Sequence, residues 1–333
     1  MGDKKGGAIG IFFLLFLVAV LGAALYFLYQ NLPGEIQELK PINGGSGNEN
    51  LGGEFFTDSN YSVSRQFYPN MRFPDKEISY HLSPDCDPER ESDVLEAFSI
   101  LEAETVLSFQ ESQENEAQIR ILCSDIAPEP EDEGHFIAGE GGPSEIVNTS
   151  LYSVIFTGKM SLFRQDKCET THVALHEVLH VLGFEHNNNP KSILYPTLDC
   201  EQELDQYLID EINELYSREG LADLKIKEVD ATKSGRYLNF KIRVVNQGLK
   251  KVNGAKLKVY GDGEIIEFRD SETDRDLPYL NLGEVEVGTT KIFTVDNARL
   301  SGRGVEEIVF VVDEDNEIEE LFENNNRIKL IVG

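Results

Sequence analysis

HEVLHVLGFEH, residues 176–186, decides the reading of this chain. His176 and His180 are four apart, so on a helix they share one face, a turn from each other. Both imidazoles can then reach a single zinc ion at about 2.0–2.1 Å. Glu177 stands next to the first of them and points to the open side of such an ion, where it can take a proton from water and later pass it to a leaving amine. Gly183 permits a positive φ, which ends the helix and turns the chain back so that His186 can supply a third nitrogen. Three protein ligands leave the fourth position free, the layout of a catalytic rather than a structural zinc site. Three further histidines have weaker readings. His172 lies one turn earlier and is expected to cap the helix start or line the cleft. His81 falls on a predicted strand and His135 on an acidic loop, and either would be a donor behind a ligand.

Spelled as H-E-x-x-H-x-x-G-x-x-H, the segment resembles the zinc motif of the metzincin metalloproteases. Downstream, SILYP (Ser192 to Pro196) resembles the Met-turn of the matrixin branch, with Leu194 where methionine is usual. Leucine and methionine have similar volumes, so Leu194 is expected to pack beneath the site as methionine would. By the same resemblance, Tyr195 helps stabilise the transition state or shapes a specificity pocket. EISYHL, from Glu77, alternates as a first strand. Val94, Ala97, Phe98, Leu101, Ala103 and Val106 recur at helical spacing over residues 88–107. LSFQE and AQIRILC read as two more strands. Residues 146–163 read as a strand or hairpin, part of which would be the edge that holds an extended substrate by backbone pairing. Residues 202–217, with Leu204, Leu208, Ile212 and Leu215 on one stripe, resemble the helix that closes a matrixin domain. The resemblance spans residues 72–219. It implies a twisted mixed sheet with about three helices, one catalytic zinc on His176, His180 and His186, Glu177 as general base, and protein or peptide substrates.

The four cysteines are Cys86, Cys123, Cys168 and Cys200. An even number in a segment expected outside the cell favours two disulfides. Of three pairings, Cys86–Cys123 with Cys168–Cys200 is favoured because each closes the shorter loop. No two are close enough for a C-x-x-C redox or zinc motif.

From Ala222 the pattern changes to short alternating strands separated by Gly, Asn and Asp turns, which predicts an immunoglobulin-like β-sandwich over residues 222–333. VVDEDNEIEELFENNNRIKLIV resembles the CARDB family, an adhesion-related module, so a surface partner is implied. Its acidic run raises a calcium (Ca2+) reading, although Ile318 stands where an EF-hand loop needs glycine.

At the other end, residues 8–29 (AIGIFFLLFLVAVLGAALYFLY) carry no charge. A helix of that length spans about 33 Å, enough to cross a lipid bilayer. Lys4 and Lys5 precede it, so the positive-inside rule puts residues 1–30 down as a cytoplasmic tip and transmembrane helix with the rest of the chain extracellular. Gly, Asn and Ser dominate residues 41–53, and residues 31–71 are expected to be a flexible stalk. The chain has 333 residues with 30 Lys+Arg against 60 Asp+Glu, a net charge of −30. That charge excludes nucleic acid as the partner, since phosphate binding needs an excess of basic residues. The fold class is therefore α+β, a metzincin-like domain followed by a sandwich. The leading function is a membrane-anchored zinc endopeptidase. The competing reading is a cell-surface adhesion protein whose zinc domain is vestigial.

Overall fold

The computed structural model describes residues 6–41, 66–129, 137–164, 168, 171–270 and 273–332. His135 lies outside them. Helix α1 (Gly6–Asn31) is followed by strand β1 (Ile36–Pro41) and, after a stretch outside the described residues, by β2 (Met71–Arg72), β3 (Glu77–Leu82), α2 (Pro88–Glu104), β4 (Ser108–Glu111), β5 (Ile119–Cys123), β6 (Gly139–Asn148), β7 (Ser153–Leu162), α3 (His172–Val181) and α4 (Gln206–Leu215). Two long strands, β8 (Leu224–Ser234) and β9 (Tyr237–Asn246), open the second half of the molecule.

The first domain is one twisted sheet with three helices. Its strands run β4-β3-β5-β7-β6, with the short β2 beside the start of β7. All neighbours are parallel except β6, which runs antiparallel to β7 at the edge. The edge strand begins at Gly139, earlier than the 146–163 stretch the sequence suggested, because Gly-Glu-Gly-Gly-Pro gives no strand signal of its own. Helix α2 starts where expected: Asp87 accepts from the N–H groups of Glu89 and Arg90, and Pro88 occupies the first turn. Val94, Ala97, Phe98 and Leu101 enter the core, whereas Ala103 and Val106 are exposed because the helix ends at Glu104 and Leu107 takes the inner position. Phe98 stacks on Phe109 at 4.2 Å. The two disulfides are Cys86–Cys123 and Cys168–Cys200, the favoured pairing.

The second domain is a sandwich whose halves share a strand. The order runs Glu264–Ile265, Lys256–Gly261, Glu307–Val312, Arg327–Val332, β1, β8, β9 and Thr290–Arg299, all antiparallel. Phe240, Phe310, Ile242, Leu257 and Leu330 fill the space between the halves. The shared strand β1 comes from the segment expected to be a flexible stalk. Its first half pairs with β8 (Ile36↔Ser234, Glu38↔Thr232) and its second with the last strand (Leu39↔Val332, Pro41↔Leu330). Leu39 is buried in the sandwich core, and that burial, together with pairing on both sides, orders residues that are nearly featureless in isolation.

The domains meet at the β6–β7 turn. Tyr152 and Val154 pack on Leu249 and Val287, Thr149 donates to the carbonyl of Gln247 (2.9 Å), and Lys250 pairs with Asp75 (2.8 Å). Arg72 is buried and donates to the carbonyls of Phe73, Pro74, Leu215 and Arg218, so it ties the start of the first domain to its end.

Candidate functional site

Helix α3 is buried along its whole length, with β6 packed across it. It ends where Gly183 adopts φ +97° with its Cα against Met71; a side chain there would strike that methionine. The turn returns the chain so that His186 faces the helix. The three Nε2 atoms then form a triangle: His176–His180 is 3.0 Å, His176–His186 is 3.1 Å and His180–His186 is 3.1 Å.

The protonation of the first two rings follows from their partners. His176 Nδ1 lies 2.6 Å from the carbonyl oxygen of Ile193, and His180 Nδ1 lies 2.6 Å from that of Phe184. A carbonyl only accepts, so each ring carries its proton on Nδ1 and turns a bare lone pair inward from Nε2. Burial, then the neighbouring His180, holds His176 down at about 3, and burial holds His180 at about 4. His186 is lowered too, again by burial. His176 and His180 are therefore neutral with bare inward nitrogens, and neither can donate to the other across the 3.0 Å between them. Mutually facing lone pairs about 3 Å apart suit a shared cation. The spacing is near the ~3.3 Å edge expected for a tetrahedral ion with ligands at 2.0–2.1 Å, and an all-imidazole donor set suits zinc. Among the described residues, this is the one group of His, Cys, Asp or Glu side chains close enough to hold a metal together.

Glu177 is 5% exposed and lies under the edge strand. A Cβ on Gly139 would sit 2.6 Å from its Cγ, and one on Gly141 only 2.2 Å from its carbonyl oxygen, whereas one on Gly142 would meet nothing within 4 Å. Glycine at 139 and 141 is therefore what lets β6 pass this close. Burial, followed by the charge of Glu140, pushes the Glu177 carboxyl up to about 8, opposed by a hydrogen bond from the Gly141 N–H. A cation on the three imidazoles would favour its ionised form.

The base of the site is Leu194, fully buried in the core, with its carbonyl accepting from the Asn187 N–H (2.9 Å). Tyr195 is half-buried and lines a cleft with Lys191, Leu198, Asp199 and Glu203. His172 neither caps the helix nor joins the triad: it is buried with Nε2 3.0 Å from the Gln202 carbonyl. His81 meets the Ser112 carbonyl (3.2 Å) on β3, away from the triad.

The family model described as Matrixin matches residues 72–217, and the CARDB model matches residues 221–329. The chain is thus similar to matrixins over the first of these regions and to CARDB domains over the second. No curated protein matches it. Solved structures similar to it include the crystal structure of the CARDB domain of the PF1109 protein from Pyrococcus furiosus in complex with di-metal ions (20% identity, TM-score 0.24, covering 34% of this chain and 88% of that one). The solution structure of the same domain matches with 20% identity and a TM-score of 0.23, over 34% of this chain and 94% of that one.

Two contributions to the matrixin site were not read from sequence. The backbone carbonyls of Ile193 and Phe184 orient the ligands, and Gly139 and Gly141 set the edge strand over Glu177. The carbonyls have no side-chain signature, but the glycines stand out in GEGG. In the CARDB domain the acidic run is engaged internally. Asp313 accepts from the N–H groups of Glu317 and Ile318, Lys256 pairs with Glu317 (2.6 Å), and Lys258 pairs with Asp315 (2.7 Å) and Glu314 (3.2 Å).

Proposed function

We propose that the chain is a zinc endopeptidase tethered to the cell membrane by α1, with both domains outside the cell. The observation that carries the reading is the triangle of Nε2 atoms on His176, His180 and His186, with the neighbouring Glu177 buried under β6. His176, His180 and His186 would hold the ion. Zinc bound there supplies a Lewis acid that makes water more acidic and polarises a scissile carbonyl. The carbonyls of Ile193 and Phe184 keep two ligand rings neutral and correctly turned. Glu177 takes the proton of the attacking water and returns it to the leaving nitrogen. Among the described residues the outer edge of β6 pairs with no other strand, which supports its use as the rail for an extended peptide. Tyr195 and the cleft around it would receive a substrate side chain.

α1 is long and apolar enough to cross a membrane by length and composition, and the two disulfides suit an oxidising exterior. The CARDB domain adds a binding surface. A protein with a vestigial zinc centre that serves only in adhesion would bind zinc and hydrolyse nothing. The test uses the full chain in detergent: bound zinc is measured, and cleavage of an unfolded protein is followed with and without a chelator. Glu177→Ala should keep the zinc and lose turnover by about 10²–10⁴-fold. Undiminished turnover in that variant would refute the role of Glu177, and zinc binding with no turnover in the native chain would establish the adhesion reading.

A further inference from the structure

The sandwich does more than follow the matrixin domain: it grips the juxtamembrane end of the chain. We infer that the CARDB domain is the anchored module, with β1 as its own first strand, and that it retains the two folded domains at the membrane even when the chain is cut between residues 42 and 65. This rests on the tethered reading above only for the membrane; the contacts between α1, β1 and the sandwich stand without it.

Four sets of contacts carry it. First, β1 is a shared strand, hydrogen-bonded to β8 along its first half and to Arg327–Val332 along its second, with Leu39 in the core. Without it, the sandwich would present two adjoining unpaired edges. Second, the end of α1 is capped from the sandwich. Arg303 Nη1 donates to the carbonyls of Tyr29 (2.6 Å) and Leu32 (2.8 Å), and its guanidinium lies 4.5 Å from the Tyr29 ring. Arg299 donates to Asn31 Oδ1 (2.9 Å) and the Tyr237 hydroxyl to the Asn31 carbonyl (3.1 Å). Carbonyls at a helix C-terminus lack intrahelical partners and carry partial negative charge, so Arg303 from another domain suits them, while Arg299 holds the Asn31 side chain. Third, Ser234 Oγ donates to the Gly34 carbonyl (2.6 Å) and receives its N–H (3.1 Å). Fourth, the link between helix and strand passes the β8–β9 turn glycine to glycine. A Cβ on Gly34 would sit 3.0 Å from both Arg303 Nη2 and Gly235 N, while Gly235, at φ +64°, would put one 2.9 Å from the Leu32 carbonyl. Side chains at these positions would push the two segments apart.

In sequence, the matrixin domain therefore sits inside the sandwich, between its first strand, β1, and its next, β8. The covalent path from helix to protease leaves the sandwich after Pro41 and returns at Leu224. A cut between residues 42 and 65 breaks one backbone bond and none of the contacts above.

The test is a full-length protein with an affinity tag before α1 and the recognition site of a sequence-specific protease inserted between Gly45 and Ser46. Cutting to completion is verified on a denaturing gel. Under native conditions in detergent, the fragment beginning at Ser46 should remain on the tag and come off in denaturant. Its release without denaturant overturns the inference. Retention in a Leu39→Asp variant, which puts a charge into the sandwich core, would also overturn it, because something other than β1 would then be holding the pieces. Should Leu39→Asp fail to fold, a Glu38→Cys/Thr232→Cys pair, placed at register partners, should cross-link the fragments in denaturant, and Glu38→Cys/Asp230→Cys should not; the opposite pattern refutes the register. Membrane fractionation of the uncut chain is read separately. A soluble uncut chain would defeat the tether while leaving the result on the tag to judge the grip.

Discussion

Each domain buries a cluster of titratable and polar groups, and the two clusters are finished differently. In the CARDB domain, Asp223 accepts from Gln247 (2.7 Å) and Asn325 (2.9 Å), and Glu320 accepts from the Leu224 N–H and from Asn326 (3.2 Å). Asn246, fully buried, accepts from the N–H groups of Asp223 and Gly248 and donates to the carbonyls of Lys250 and Val285. The amide oxygens of Asn325 and Asn326 are left over, but every carboxylate there meets donors from its own chain. In the matrixin domain the outward-facing ring nitrogens of His176 and His180 are satisfied by carbonyls while their inward-facing ones meet only ring nitrogens of the triad. Burial alone does not separate a structural polar cluster from a reactive one. The difference is whether the chain supplies the last partner or leaves it to something from solution.

That contrast can be broken in order of expected effect. His180→Ala should abolish bound zinc and reduce cleavage to background, a loss of at least ~10³-fold, and the variant should melt below the zinc-free native chain, because it leaves the Phe184 carbonyl without its buried partner. Elemental analysis and calorimetry report both. Gly141→Ala should cut kcat by roughly 10–10²-fold by displacing β6 from Glu177, while Gly142→Ala, with open space around it, should leave kcat alone; equal rates for the two would sink the close-approach argument. Asn246→Ala should leave zinc content and turnover intact but cost the CARDB domain about 2–4 kcal/mol in denaturant unfolding.

A pH series sharpens the same contrast. Burial, reinforced by the charges of Asp223, Glu323 and Asp313, holds the Glu320 carboxyl at about 8 against 4.5 for a free glutamate. The folded chain thus keeps a proton that the unfolded chain gives up, so this group's stabilising contribution is complete below about 4.5 and is lost as pH rises toward about 8. Melting temperature should fall across that window, and Glu320→Gln, neutral at every pH, should flatten the part of the fall that this residue causes. The smallest effect is reserved for Leu194→Met, which should alter stability by less than ~1.5 kcal/mol and turnover by no more than a few-fold.

How much of this was legible in the sequence depended on range. The histidine triad obeys local geometry, a four-residue helical step and a glycine turn, so the convergence of His176, His180 and His186 was legible from their spacing. The disulfides each close a short loop, and their pairing followed. Helix α2 was legible from Asp87-Pro88 to Leu101. Strand β1 was not, because its partners lie about two hundred and nearly three hundred residues away and its six residues offer one inward apolar position, Leu39. The start of β6 was hidden for the opposite reason: Gly139 and Gly141 pass Glu177 too closely for a side chain, and the Gly-Glu-Gly-Gly-Pro run they belong to lacks the β-branched residues that mark a strand. His172 misled because a histidine one turn from a ligand looks like part of the site, whereas its ring serves a loop carbonyl.

Arg72 has one more implication. By binding the carbonyls of Leu215 and Arg218 from β2, it brings the two ends of the matrixin domain together, so the whole unit is inserted into the sandwich like a cassette, with the Tyr152–Leu249 and Asp75–Lys250 contacts beside the join. Such a unit can be lifted out and replaced by another of similar footprint without redesigning its holder, which makes residues 72–217 a natural position for grafting foreign enzymes onto this scaffold.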